Sequence, residues 1–166
     1  MGRDDLIRGG ADMDFLDGRK GNDIVLVGDG NDYIDGYLGR DILVGGAGSD
    51  RANGGSGEDL LISGVTNFDH MDEALLSLAS IWNGEGIASE RRTVIEQNSV
   101  YQSRSLTVLY ENSIDSLLGG TEIDLFSAGQ YALGNMWHNS NGNPHKARAE
   151  PIGSQIPRKS RYFMPD

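Results

Sequence analysis

The chain contains no cysteine, few aromatic residues and too few basic side chains to balance its acidic ones. The absence of cysteine excludes disulfides and thiolate metal ligands. The 14 Lys and Arg against 25 Asp and Glu argue against nucleic acid as a partner, because nucleic acid binds to basic surfaces. The chain also lacks an N-terminal apolar stretch and any long hydrophobic run, so the sequence predicts neither a signal peptide nor a membrane span.

Aspartate, by contrast, recurs at a fixed period. Every ninth residue from Asp5 to Asp59 is an aspartate, and an apolar residue follows two positions after each of them. A period of nine fits neither an α-helix nor a simple strand alternation. It favours a solenoid in which each repeat is one short turn and one short strand. The aspartates of this array are Asp5, Asp14, Asp23, Asp32, Asp41, Asp50 and Asp59.

Glycine occurs 24 times, and many copies lie in the turns before these aspartates. Glycine adopts positive φ without steric cost, which allows a tight turn. Such a turn would aim its backbone carbonyls and the following aspartate at one point. The candidate turn glycines are Gly18, Gly21, Gly28, Gly30, Gly36, Gly39, Gly45, Gly48, Gly54 and Gly57.

The side chains around each aspartate have predicted directions. The apolar residue two positions after it is expected to fill the solenoid interior. The residue directly after it is expected to point outward. This outward set comprises Phe15, Ile24, Tyr33, Ile42, Arg51 and Leu60.

Stacked repeats would place the aspartates in rows. Neighbouring layers of a parallel sheet lie about 4.8 Å apart, so the carboxylates of a row repel one another unless cations lie between them. Carboxylate and carbonyl oxygens are the ligands that Ca²⁺ takes, six to eight at a time and in flexible geometry. The array therefore predicts several bound Ca²⁺ ions.

The copies GNDIVLVGDGNDYID and GGSGEDLLI follow the pattern Gly-Gly-x-Gly-x-Asp-x-apolar-x. This pattern resembles the RTX, or haemolysin-type, calcium-binding nonapeptide repeat found in the C-terminal β-roll regions of secreted bacterial proteins. The resemblance implies a right-handed parallel β-roll in which two nonapeptides form one turn. Each ion would then lie between aspartates eighteen residues apart. The implied pairs are Asp14 with Asp32, Asp23 with Asp41, Asp32 with Asp50, Asp41 with Asp59 and, more weakly, Asp5 with Asp23.

The resemblance also implies a function. The chain would be a calcium-binding structural module of a secreted or surface bacterial protein, exported without a leader by type I secretion machinery and folding on Ca²⁺ outside the cell. The alternative is an accessory C-terminal region of an extracellular enzyme of the protease, lipase or epimerase type. The chain itself carries no Gly-x-Ser-x-Gly or His-Glu-x-x-His motif, and the spacing of its three histidines matches no zinc site.

The predicted fold class is an all-β solenoid, a parallel β-roll with a short helical insertion and a poorly ordered C-terminal tail. Residues 1–64 form the repeat block. Residues 65–104 form the insertion or cap, with one helix that begins near Asp72 and ends at Asn83–Gly84 and a second, weaker helix over 89–97. The apolar stripe of the first helix is expected to pack against the solenoid end. Residues 105–127 hold a strand over 105–110 and two degenerate repeats with Asp115 and Asp124, which are further candidate ligands. Residues 128–166 are expected to form a flexible tail.

Overall fold

The fold is taken from a computed structural model of the chain. The structure describes residues 2–87, 90–91, 94–95, 116–120, 125–127, 137–138 and 146–148.

Two sheets face each other across a narrow core. The first sheet contains, in spatial order, β1 (Leu6–Ala11), β3 (Ile24–Asp29), β5 (Ile42–Val44), β7 (Leu60–Ile62), β9 (Leu125–Ser127) and β10 (Trp137–His138). The second contains β11 (Lys146–Arg148), β8 (Ser116–Gly120), β6 (Arg51–Gly55), β4 (Tyr33–Asp35) and β2 (Phe15–Asp17). Strands β1 to β9 pair in parallel, whereas β10 and β11 pair antiparallel at the far ends of their sheets.

The strand register confirms the parallel solenoid. Ile24 lies opposite Ile42, and Ile42 lies opposite Leu60. In the second sheet Phe15 lies opposite Tyr33. Each offset is eighteen residues, so two nonapeptides complete one turn and successive nonapeptides alternate between the two sheets.

The interior is filled by the apolar residues two positions after each aspartate. Ile34, Leu43 and Leu61 are fully buried in one cluster, and Ala52 and Leu117 join it. The expectation of an inward apolar column is therefore confirmed. Each fully buried large apolar side chain stabilises the roll by roughly 1.5–3 kcal/mol.

The residues directly after the aspartates lie on the outer faces of both sheets, but they are exposed on only one of them. On the second sheet Phe15 is 73% exposed and its ring lies 6.1 Å from that of Tyr33. On the first sheet Ile24 is only 3% exposed, and Ile42 and Leu60 are buried as well. These residues also point out of the roll, as predicted, and they are buried because the helical insertion covers that face of the first sheet.

The covering element is helix α1 (Asp72–Trp82), which begins and ends where the sequence predicts. Its apolar stripe packs on Ile24, Ile42 and Leu60, residues from three successive layers of the first sheet. The helix therefore lies along the flank of the roll, and the prediction that its stripe packs on the solenoid end was wrong. The stripe consists of Ala74, Leu75, Leu78 and Trp82.

Other expectations meet the structure only in part. Of the weaker helix predicted over 89–97, the described residues 90, 91, 94 and 95 are helical. The strand predicted over 105–110 lies outside the described residues. In the predicted tail, 128–166, the structure describes β10 and β11. Within the described portions, no helix has both the length and the apolar character needed to cross a bilayer.

Candidate metal centre

Because one turn takes eighteen residues, the aspartates alternate between two sides of the roll. Those of the first row directly precede the strands β1, β3, β5 and β7 of the first sheet. This row comprises Asp5, Asp23, Asp41 and Asp59. The second row precedes strands of the second sheet. It comprises Asp14, Asp32 and Asp50.

One oxygen of each inner carboxylate is fixed by the backbone of the neighbouring layer. The N–H of Asp23 donates to Oδ1 of Asp41 at 2.7 Å, and the N–H of Asp41 donates to Oδ1 of Asp59 at 2.8 Å. The same bond links Asp5 to Asp23, Asp14 to Asp32 and Asp32 to Asp50, at 2.8–2.9 Å. This amide ladder orients the five accepting carboxylates in the same way, and the sequence did not indicate it.

The second oxygen has no such donor. Oδ2 of Asp14, Asp23, Asp32 and Asp41 is buried and accepts no hydrogen bond from any described group. Oδ2 of Asp50 and Asp59 is buried at the equivalent place in its turn. An ionised oxygen withdrawn from water without a donor or a cation is strongly unfavourable. A cation bound beside Oδ2 of Asp23 and Asp41 would remove this cost.

A glycine, which has no Cβ, allows this oxygen and a backbone carbonyl to approach closely. A Cβ added to Gly36 would lie 2.6 Å from Oδ2 of Asp41 and 2.5 Å from the carbonyl oxygen of Gly54 in the next layer. We call this arrangement, in which a carboxylate oxygen and a backbone carbonyl oxygen lie beside a glycine, a cradle. Equivalent cradles lie at Gly9, Gly18, Gly45 and Gly54, beside Oδ2 of Asp14, Asp23, Asp50 and Asp59.

The remaining predicted glycines have a different place. Gly39 has φ +151°, and a Cβ there would overlap the carbonyl oxygen of Gly21 in the preceding layer. These glycines allow one layer to approach the backbone of the next. The group comprises Gly21, Gly28, Gly30, Gly39, Gly48 and Gly57.

One glycine of the column that forms the cradles was not predicted from the sequence, and one position of this column is not a glycine. Gly9 was not among the candidates, although it occupies the column that Gly18 and Gly36 occupy. Before Asp32 the column holds Val27, a buried core residue, so that turn lacks the glycine. The carbonyl oxygens next to the cradles belong to Val27, Gly36, Gly54, Ser63 and Gly119, and backbone donors leave no residue-type signal in a sequence. Asp115 and Asp124 lie outside the described residues.

The donor set is made of oxygens alone. Among the described residues, no three His, Cys, Asp or Glu side chains converge on one point. Each layer of the row offers one carboxylate, and backbone carbonyls supply the other oxygens. Such ligands suit a hard cation with loose geometry, which is the chemistry of Ca²⁺.

The electrostatics of the first row show the need for a counter-charge. Burial raises the pKa of Asp41 from 3.8 to about 7, and the nearby carboxylate of Asp23 adds to the rise while the backbone N–H of Asp23 opposes it. Burial also raises the pKa of Asp23. Without a cation, the folded roll therefore favours the protonated forms of Asp23 and Asp41.

Acid is accordingly expected to stabilise the metal-free roll. Between about pH 4, the ordinary aspartate value, and about 7 the folded chain binds more protons than the unfolded chain. Its stability therefore rises as the pH falls through this window. In EDTA, far-UV circular dichroism should show more β structure at about pH 5 than at about pH 8. The gain should be smaller in Asp41→Asn, which cannot titrate, and a loss of β structure on acidification would contradict the prediction.

Comparison with known families agrees with this geometry. A family model described as "RTX calcium-binding nonapeptide repeat (4 copies)" matches the chain twice, over residues 1–34 and 35–67. Neither the curated proteins nor the solved structures give a significant match. The matched residues include both carboxylate rows from Asp5 to Asp59 and all the cradle glycines. Residues 1–67 are therefore an array of RTX calcium-binding nonapeptide repeats.

Proposed function

We propose that this chain is a calcium-dependent structural module of a secreted bacterial protein, whose roll folds when Ca²⁺ binds along the two aspartate rows. The family of residues 1–67 implies calcium binding. The proposal assigns the ions to particular residues and makes them a condition of folding.

The buried Oδ2 atoms carry the proposal. Oδ2 of Asp23 and of Asp41 each accepts no hydrogen bond from a described group, and each borders a cradle next to a carbonyl oxygen. A solenoid without ions has no use for an acid in every turn, because a neutral or apolar residue there would avoid the cost of burial. A Ca²⁺ ion in the cradle would satisfy the carboxylate and the carbonyl together.

The kind of ion follows from the donors. Carboxylate and carbonyl oxygens on flexible turns suit the six to eight ligands of Ca²⁺ at about 2.3–2.6 Å. Mg²⁺ requires near-ideal octahedral geometry at about 2.0–2.1 Å and keeps several of its waters. We therefore expect Mg²⁺ to substitute poorly.

The location of the protein follows from the affinity that such sites have. Extracellular calcium modules bind their ions at about 10⁻⁴–10⁻³ M. A roll with that affinity would stay unfolded where free Ca²⁺ is scarce and fold where it is plentiful. This behaviour supports an extracellular or cell-surface role after export in the unfolded state.

Isothermal titration calorimetry with Ca²⁺ on Asp41→Asn tests the assignment. Asparagine keeps an Oδ1 that can accept the N–H of Asp23, but it replaces Oδ2 with an amide nitrogen that cannot bind a cation. If Asp41 is shared between neighbouring layers, the variant should bind two fewer ions than the wild type. Asp29→Asn, at an exposed aspartate outside both rows, is the matched control and should bind as the wild type does. An unchanged number and affinity of ions in Asp41→Asn would refute the assignment.

A further inference from the structure

The C-terminal end of α1 and the residues after it contact the turns of the first aspartate row at one place. The indole N–H of Trp82 donates to the carbonyl oxygen of Glu58 at 3.0 Å. The carboxylate of Glu58 forms ion pairs with Arg91 and, at 3.3 Å, with Arg40. Arg40 also donates to the carbonyl oxygen of Gly84 at 3.1 Å. We call Arg40, Glu58, Trp82 and Arg91 the clamp cluster.

The clamp cluster adjoins two candidate ligands in the sequence. Arg40 directly precedes Asp41, and Glu58 directly precedes Asp59. The amide ladder joins these two aspartates, since the N–H of Asp41 donates to Oδ1 of Asp59 at 2.8 Å. The insertion therefore holds the residue immediately before each of two ligands that are neighbours in the row.

Both rows share one contact within the roll at these positions, since in the first row the N–H of Arg40 donates to Oδ1 of Asn22 at 2.9 Å; the first row has the clamp cluster in addition. In the second row, Asn31 and Ser49 directly precede the last two aspartates. There the N–H of Ser49 donates to Oδ1 of Asn31 at 2.9 Å, which is a contact within the roll. The described contacts thus give the insertion a direct link to the first row only.

Because Trp82 and Arg91 are buried, the attachment of the insertion depends on the turn at Glu58. Trp82 is fully buried, and the side chain of Arg91 is only 2% exposed, with its guanidinium 5.0 Å from the centre of the Trp82 ring. A buried guanidinium depends on its carboxylate partner, because leaving one charge of a buried pair alone is strongly unfavourable. If the turn at Glu58 loosens, Arg91 loses its counter-charge and Trp82 loses its hydrogen-bond acceptor.

We propose that the clamp cluster positions Asp41 and Asp59 for the cation, so that docking of the α1–Arg91 segment and ion binding in the first row are thermodynamically coupled. The inference rests on the proposed calcium function and adds a defined partner to it. Coupling of this kind is reciprocal. The docked segment tightens ion binding at Asp41 and Asp59, and the bound ion tightens docking of the segment.

Glu58→Gln in the full chain, titrated with Ca²⁺ by calorimetry, tests the coupling. The change keeps the size of the side chain and removes the charge that serves both arginines. We expect at least one ion to bind about tenfold more weakly. Arg8→Gln is the matched control, because Arg8 pairs with Asp72 at 2.6 Å at the opposite end of α1, where both side chains are exposed and an ion pair contributes little to docking; it should leave the affinities nearly unchanged.

A double variant separates positioning from a general loss of stability. If Glu58 acts through the ions at Asp41 and Asp59, Glu58→Gln in the Asp41→Asn background should weaken only an ion left at Asp59 and should have little further effect on the ions of the second row. A merely structural role would weaken the ions of the second row as well. Should Glu58→Gln not fold in Ca²⁺, Trp82→Phe replaces it, because this change keeps an aromatic ring and removes the indole N–H. It should weaken the same ion by a smaller factor.

Trp82 fluorescence gives a second readout. In a Trp137→Phe background, Trp82 is the sole tryptophan, and its emission should shift to shorter wavelength at the same Ca²⁺ concentration at which β structure forms. If the wild type binds no Ca²⁺, the proposed function fails. If it binds Ca²⁺ and forms β structure but the Trp82 shift occurs at another concentration, or if both the Glu58 and the Trp82 variants bind as the wild type does, the clamp is refuted and the calcium function stands.

Discussion

In EDTA at about pH 8 the chain is expected to lose the β structure of residues 6–62, and millimolar Ca²⁺ is expected to restore it. Charges about 4.8 Å apart at an effective dielectric constant of about 20 repel by roughly 3.5 kcal/mol. The first row alone stacks Asp23, Asp41 and Asp59 in adjacent layers. Two such repulsions approach the total stability of a small domain, about 5–15 kcal/mol, even before the cost of burying Oδ2 is counted.

Far-UV circular dichroism is the measurement, with Mg²⁺ in place of Ca²⁺ as the control. Magnesium at the same concentration should restore little β structure, because Mg²⁺ demands near-ideal octahedral geometry and gives up its waters reluctantly. A complete β spectrum in EDTA at this pH would show that the roll folds without ions and would contradict the expectation.

Gly36→Ala is expected to abolish ion binding beside Asp41. The added methyl group would lie 2.6 Å from Oδ2 of Asp41 and 2.5 Å from the carbonyl oxygen of Gly54, so it would displace the two oxygens that are proposed to bind the ion. Gly36 is outside the positive-φ set, so the change introduces no left-handed backbone strain. Calorimetry should show at least one ion fewer, and the Ca²⁺ concentration needed for folding should rise several-fold.

Gly10→Ala is the matched control for this substitution. Gly10 has φ +126°, yet a Cβ there would meet nothing within 4 Å. The variant therefore carries only the backbone strain of a left-handed residue, about 1–2 kcal/mol, with no obstruction of a cradle. It should lower the thermal midpoint and leave the number of bound ions unchanged. Loss of an ion in Gly10→Ala, or full ion binding in Gly36→Ala, would contradict the assignment of the cradle.

The repeat itself made most of the roll predictable. A nine-residue period with Asp and an apolar residue in fixed places determines the turn, the strand and the inward side chain, because each of these depends only on local geometry and on stacking of identical layers. Ile34 and Leu61 are buried as predicted, whereas the eighteen-residue register between Ile24 and Ile42 was implied by the resemblance to the repeat family and not by the period itself.

The position of the insertion was not predictable in the same way. The apolar stripe of α1 indicated that one face of the helix is buried, but such a stripe does not show which surface it packs on. The partner is the outer face of the first sheet, where Ile24, Ile42 and Leu60 are apolar, whereas the second sheet presents Phe15, Tyr33 and Arg51. This alternation between nine-residue copies is visible in the sequence only when the copies are sorted into odd and even.

The amide ladder escaped prediction for a different reason. Sequence patterns report side chains, and the donor to Oδ1 of Asp41 is the backbone N–H of Asp23. The ladder divides the work of each carboxylate, since Oδ1 is held by the protein and Oδ2 is left for the ion. In the folded roll, backbone N–H groups therefore orient the carboxylates, and the cations are needed to balance their charge.

The most direct test is a crystal structure grown in Ca²⁺, with the anomalous signal used to locate the ions. We predict a calcium peak about 2.3–2.6 Å from Oδ2 of Asp41 and from the carbonyl oxygen of Gly54, with similar peaks along both rows. A well-ordered roll in abundant Ca²⁺ with no ion near these Oδ2 atoms would contradict this prediction.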